Sequence, residues 1–135
     1  MATTGHATTA PDRTTTLRRV AAGIAALIAV TYGLIWTGVL SVVIEAEPGE
    51  LGVLGFAGAV FLVLAALLWR FAGRLLWAGT AVLQALVIWM YVVVGAERDP
   101  AFETWGISIR VAQVALIGVL VALLVRSPRS PKDEP

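Results

Sequence analysis

Residues 20–44 read VAAGIAALIAVTYGLIWTGVLSVVI, an apolar stretch of 25 residues without a charged side chain. About 20 helical residues are enough to cross the hydrocarbon core of a bilayer, so this stretch predicts a tilted transmembrane helix. A cleaved signal peptide is the competing interpretation, but its apolar core is usually only about 7 to 15 residues long. Three further apolar runs of spanning length follow, at residues 51–69, 75–96 and 105–125.

The composition is typical of a membrane protein. Of 135 residues, 59% are hydrophobic and 14% are charged, with a mean hydropathy of +0.86. A soluble chain of this length buries only about two-thirds of its surface, which is too little to hide four such runs from water. The lipid bilayer is therefore the first predicted partner. A net charge of +1 provides no basic surface for nucleic acid.

The distribution of cations predicts the orientation in the membrane. Lysine and arginine are retained on the cytoplasmic side of a membrane, whereas acidic residues have little influence. Eight of the ten cations precede the first run, join the second to the third, or follow the fourth: Arg13, Arg18, Arg19, Arg70, Arg74, Arg126, Arg129 and Lys132. We therefore expect a multi-pass protein of the cell membrane with both termini in the cytoplasm.

Short connections between the runs make consecutive helices antiparallel neighbours. The expected fold class is an all-α membrane protein, an antiparallel up-down four-helix transmembrane bundle. Its transmembrane domain covers residues 20–125. The threonine-rich residues 1–19 and the proline-punctuated residues 126–135 are expected to be disordered cytoplasmic tails, because neither can bury enough apolar surface to offset the entropy of ordering.

Small side chains recur at every fourth position of the first run and form a small-residue ridge, which consists of Ala21, Ala25, Ala29, Gly33, Thr37 and Ser41. Such a surface lets helix backbones approach closely, and this close packing is a main source of helix association in lipid. Two interpretations stay open. The ridge packs internally, against glycines of the second run, or it faces a second copy or another membrane protein.

Polar residues in the last two runs form a second feature. Arg110 follows the interfacial Trp105 by five residues, which places it roughly 7 to 8 Å below the membrane surface at 1.5 Å per residue. Gln113 shares its helix face. Gln84 and Tyr91 of the third run lie at matching depths, and Glu103 lies at the outer mouth. Together with Arg110 and Gln113 these residues make up a predicted polar seam: Gln84, Tyr91, Glu103, Arg110 and Gln113. The seam either fixes helix register by hydrogen bonds or forms a pocket in which Arg110 meets an anionic headgroup, a quinone oxygen or a small anion.

The sequence offers no recognisable catalytic machinery. His6 is the sole histidine, lies in the N-terminal tail, and the chain has no cysteine, so we expect no catalytic residues, cofactor or metal site within the membrane. The preferred hypothesis is a small non-enzymatic integral subunit that assists interaction, assembly or stabilisation, within a larger membrane complex or a homo-oligomer. The alternatives are a minimal oligomeric transporter or channel, or a lipid-, quinone- or anion-binding protein that uses the polar seam.

Overall fold

The computed structural model describes residues 12–40, 48–97 and 104–127. Within these ranges the protein consists of four α-helices: α1 (Arg13–Trp36), α2 (Pro48–Arg70), α3 (Arg74–Gly95) and α4 (Thr104–Arg126). Each of the four, with α2 counted from Gly52, is long and apolar enough to cross a membrane, so this prediction is confirmed. Ser41 of the ridge, Glu103 of the polar seam, residues 1–11 of the N-terminal tail and residues 128–135 of the C-terminal tail lie outside the described residues.

Helix α1 is displaced toward the N-terminus relative to the expected span at residues 20–44. It begins at Arg13, so residues 13–19 are helical, although the sequence suggested a disordered tail up to residue 19. Leu17 packs against the hydrophobic core, which accounts for the earlier start. The helix ends at Trp36 because Gly38 adopts a φ of 75°, a left-handed conformation that suits glycine and breaks the helical path.

Neighbouring helices in the bundle run antiparallel. The guanidinium of Arg19, near the start of α1, lies 5.5 Å from the ring centre of Trp69, near the end of α2. In the same way, Arg74 at the start of α3 donates hydrogen bonds to the backbone oxygens of Leu124 (2.9 Å) and Ser127 (2.6 Å) at the end of α4. The helix-terminal cations Arg19 and Arg74 therefore each stand beside the C-terminal end of a neighbouring helix, where a positive charge complements the helix dipole.

The four helices form a ring that is nearly open on one side. Helix α1 packs against α2 and α4, and α4 packs against α3, whereas α2 and α3 barely touch although only residues 71–73 connect them. Sequence reasoning expected every pair of consecutive helices to pack as neighbours in a closed bundle. The structure differs because α2 packs against the small side chains of α1 and α3 packs against α4.

The N-terminal half of the small-residue ridge is buried inside the chain. Ala21 and Ala25 have no exposed surface, and Ala29 is 7% exposed. A Cβ atom added at Gly58 of α2 would lie 3.4 Å from the backbone oxygen of Ala29 and 3.6 Å from the backbone nitrogen of Gly33, so α1 and α2 approach closely here. The ridge does not stay tight along its length, since a Cβ at Gly33 would meet nothing within 4 Å. Thr37 is exposed and donates its hydroxyl to the oxygen of Gly33 instead.

Candidate functional site

The centre of the site is Arg110, whose side chain contacts three of the four helices. Its Nη1 donates a hydrogen bond to Oε1 of Gln113 on the same helix. Its Nη2 donates to the hydroxyl of Tyr32 on α1, with 3.3 Å between the two atoms. The guanidinium carbon lies 4.4 Å from the ring centre of Tyr91 on α3. Hydrogen bonds and a cation–π contact thus hold the charge where α1, α3 and α4 meet.

Local sequence explains how Tyr91 reaches Arg110. Arg110 is one turn beyond Gly106 on α4, and a Cβ atom added at Gly106 would lie 3.0 Å from Cζ of Tyr91. Glycine at this position therefore lets the tyrosine ring lie directly against the α4 backbone. From there the face of the ring covers the guanidinium. Gly106 is a positioning residue that sequence reasoning did not single out.

Tyr32 is a member of the site that sequence reasoning missed. It is 5% exposed, and its ring stacks on that of Phe61 in α2, with 5.8 Å between the ring centres. This packing holds the hydroxyl toward α4. A signal was present in the sequence, because Tyr32 lies one turn before the interfacial Trp36 and therefore at a depth similar to that of Arg110. Tyr32 contacts Arg110 only because α1 packs beside α4.

The two glutamines are both fully buried but do not hydrogen-bond each other. Arginine is only a donor, so Gln113 must present Oε1 to Arg110, which leaves its Nε2 directed elsewhere. That Nε2 atom has no hydrogen-bond partner within the described part of the chain, and neither do Oε1 and Nε2 of Gln84. The hydrogen bond between Gln84 and Gln113 that the seam hypothesis suggests is therefore not formed. The structure joins Arg110, Gln113 and Tyr91 directly and adds Tyr32, but leaves Gln84 separate.

Hydrogen-bond donors exceed acceptors around Arg110. A guanidinium has five N–H donors. Within the described residues one donates to Gln113 and one to Tyr32, and the buried Nε has no partner there. The hydroxyl of Tyr32 accepts from Arg110 and keeps its own hydrogen as a donor. Among residues 12–40, 48–97 and 104–127, no carboxylate forms an ion pair with Arg110. The chemistry of this arrangement fits an acceptor-rich or anionic group.

An open groove of about 300 Å³ lies between α3 and α4 beside this charge. Apart from Tyr91 and Arg110, its lining is aliphatic and comes from both helices: Ile88, Val92, Ile107, Val111 and Val114. Several of these side chains are about half exposed, as expected where a groove opens toward the acyl chains of a bilayer. The groove is therefore lined almost wholly by apolar atoms, and Arg110 and Tyr91 are the polar residues among those that border it. The chain matches no family model, no curated protein and no solved structure.

Proposed function

We propose that this protein is a non-enzymatic membrane protein that binds an amphiphile with an anionic head through the groove between α3 and α4. The observation that carries the proposal is Arg110, a cation among the residues that border an apolar groove, whose buried Nε has no hydrogen-bond acceptor within the described residues. Charged side chains within a membrane are costly, and they commonly mark ligand or ion sites.

The two ends of the site suit the two ends of such a ligand. Side chains in a helix lean toward its N-terminus, which for α4 leads from Arg110 toward Trp105 and the membrane surface. A phosphate or carboxylate head at that surface would accept hydrogen bonds from the guanidinium. Its hydrocarbon chain would then lie along the valines of the groove. In this proposal the bundle spans the cell membrane with both termini in the cytoplasm, so the site opens in the outer leaflet.

Packing of the small-residue ridge is the reason for preferring ligand binding over association with another protein. The sequence offered the ridge as a surface for a partner, but Ala21, Ala25 and Ala29 are buried within the chain. A second proposal, association with a larger membrane protein or a second copy, is favoured by the sparse contact between α2 and α3. A partner helix seated between α2 and α3 would complete the ring.

The experiment compares the effect of an anionic lipid on the stability of variants at two arginines, Arg110 and Arg126. Thermal unfolding of the purified protein would be measured in nanodiscs of phosphatidylcholine, with and without added phosphatidylglycerol. We expect the anionic lipid to raise the unfolding midpoint of the wild-type protein and of Arg126→Gln. Arg126 is exposed at the opposite end of α4, so its variant loses the same charge away from the groove.

Arg110→Gln should lose most of the stabilisation by the anionic lipid. Equal responses of Arg110→Gln and Arg126→Gln would contradict the site, because the lipid effect would then reflect total charge. Glu103→Gln tests the remaining internal explanation. If Glu103 neutralises Arg110, its removal should strengthen the response to the anionic lipid, whereas an unchanged response means that the lipid meets an unpaired arginine. Copurification of a stoichiometric membrane protein, lost when the exposed residues of α2 and α3 are altered, would favour the second proposal.

A further inference from the structure

A second polar region lies inside the bundle, away from the groove, on the buried face of α3. Trp77, Thr80 and Gln84 follow one another at spacings of three and four residues and therefore share one helix face. Their exposures are 3%, 3% and 0%. Nε1 of Trp77, Oγ1 of Thr80 and both polar atoms of the Gln84 side chain lack a hydrogen-bond partner within the described residues.

The hydroxyl of Thr80 behaves differently from other hydroxyls on these helices. Thr31, Thr37 and Ser108 each donate to the backbone oxygen four residues earlier, which satisfies a hydroxyl within its own helix. Thr80 makes no such bond. Its hydroxyl is therefore available to a group inside the bundle, next to the carboxamide of Gln84 one turn along the helix.

The register of α3 against α4 brings Gln113 to the same depth. Tyr91 lies against Gly106, and the two helices are antiparallel. Gln84 is seven residues before Tyr91, and Gln113 is seven residues after Gly106, so both are two turns inward from the same contact. Because Oε1 of Gln113 is bonded to Arg110, its Nε2 points away from Arg110. This Nε2 joins the four atoms of α3 as a buried polar atom without a partner within the described residues.

Small side chains of α1 lie at the depth of the two glutamines. Tyr32 contacts Arg110, so Ala29, three residues before Tyr32, lies level with Gln113, three residues after Arg110. Ala25, one turn further along α1, is also fully buried. The unpartnered polar atoms of Thr80, Gln84 and Gln113 supply the two to four polar partners that a buried water needs.

We infer that ordered water binds between α3 and α4 and bridges Gln113 to Gln84 and Thr80. Donor and acceptor roles follow from the fixed carboxamide of Gln113. Water accepts a hydrogen bond from Nε2 of Gln113 and donates to Oε1 of Gln84, while the Thr80 hydroxyl is placed to accept or donate beside it. In the hydrocarbon region such polar atoms must be satisfied inside the protein, and water is the ligand that meets donors and acceptors together. The inference does not rest on the binding of an amphiphile at Arg110.

The sequence makes this inference directly measurable, because the chain contains two glutamines and no asparagine. In ¹⁵N-labelled protein the side-chain carboxamide signals therefore belong to Gln84 and Gln113 alone. Magnetisation transfer from water would be measured in bilayers at short mixing times. We expect transfer to both carboxamides, and none to the backbone amides of their neighbours Leu83 and Ala112. Transfer that is missing from either carboxamide overturns the inference.

Two variants and a control distinguish a bridging water from magnetisation that reaches the carboxamides through an exchanging hydroxyl. In Thr80→Val both carboxamide signals should still receive magnetisation from water, and their loss would show a relay through the hydroxyl. In Gln113→Leu the transfer to Gln84 should fall, whereas Ser108→Ala, which removes a hydroxyl already bonded within α4, should leave it unchanged. A Gln84 signal that is the same in both of these variants contradicts a bridge. If Gln113→Leu does not fold, the transfer from water to the two carboxamides of the wild-type protein still tests the inference.

Discussion

The guanidinium carbon of Arg110 lies 4.4 Å from the centre of the Tyr91 ring, so the charge in the N-terminal part of α4 is covered by an aromatic face of α3. This contact joins α3 to α4. A cation–π contact removed from water contributes up to about 2 kcal/mol. Arg110 therefore stabilises the bundle as well as forming the polar edge of the groove.

The hydroxyl of Tyr32 should contribute measurably to the stability of the bundle. Tyr32→Phe removes the hydrogen bond from Arg110 but keeps the ring that stacks on Phe61. We expect the free energy of unfolding to fall by about 0.6 to 2 kcal/mol, the range found for hydrogen bonds between membrane helices. Unfolding in mixed micelles would measure it. In an Arg110→Leu background the same change should cost little, and an undiminished cost there would refute the contact.

Gly106 and Gly118 provide a matched pair on α4. Gly106→Ala would place Cβ 3.0 Å from Cζ of Tyr91, whereas a Cβ at Gly118 would meet nothing within 4 Å. The first change should therefore displace the tyrosine ring and destabilise the protein by about 1 to 3 kcal/mol, as overpacking does. Gly118→Ala should be neutral or stabilising by up to about 1 kcal/mol, because alanine favours helix. Equal unfolding midpoints for the two variants would mean that Tyr91 does not pack on Gly106.

Arg74 should stabilise the end of α4 that lies opposite the groove. Its Nη1 donates to the backbone oxygens of Leu124 and Ser127, which have no intrahelical partner at a helix C-terminus. Arg74→Ala should reduce stability by about 1 to 3 kcal/mol and speed hydrogen exchange in the last turn of α4. Arg70→Ala is the control, since Arg70 is exposed at the end of α2. Identical exchange rates in both variants would show that Arg74 does not hold the α4 terminus.

Hydropathy and helical spacing predicted much of this arrangement. Long apolar runs identified the four helices, and the three-residue spacing of Arg110 and Gln113 correctly indicated a shared face. The ends of α1 were not predicted, because a hydropathy run does not register the positive φ of Gly38 that stops the helix. Likewise, an apolar run gives no sign that α1 continues through residues 13–19 into a polar segment.

Contacts between helices were harder to predict than their positions. Tyr32 was missed because its role depends on α1 lying beside α4, and no residue spacing within one helix reveals which helices pair. No hydrogen bond joins the two glutamines although both side chains are buried, and Oε1 of Gln113 accepts from Arg110 instead. Side-chain hydrogen bonds are decided by competition among partners, which a sequence does not rank.

In the proposed topology the polypeptide crosses the bilayer four times with its cationic ends inside, which puts the mouth of the Arg110 groove on the outer side. The chain contains no cysteine, so single-cysteine variants can be labelled without background. In intact cells a membrane-impermeant maleimide should label Glu47→Cys and Asp99→Cys, and should reach Thr8→Cys, Ala72→Cys and Ser130→Cys only after permeabilisation. Labelling of Thr8→Cys and Ser130→Cys from opposite faces, or of Ala72→Cys in intact cells, would contradict the account.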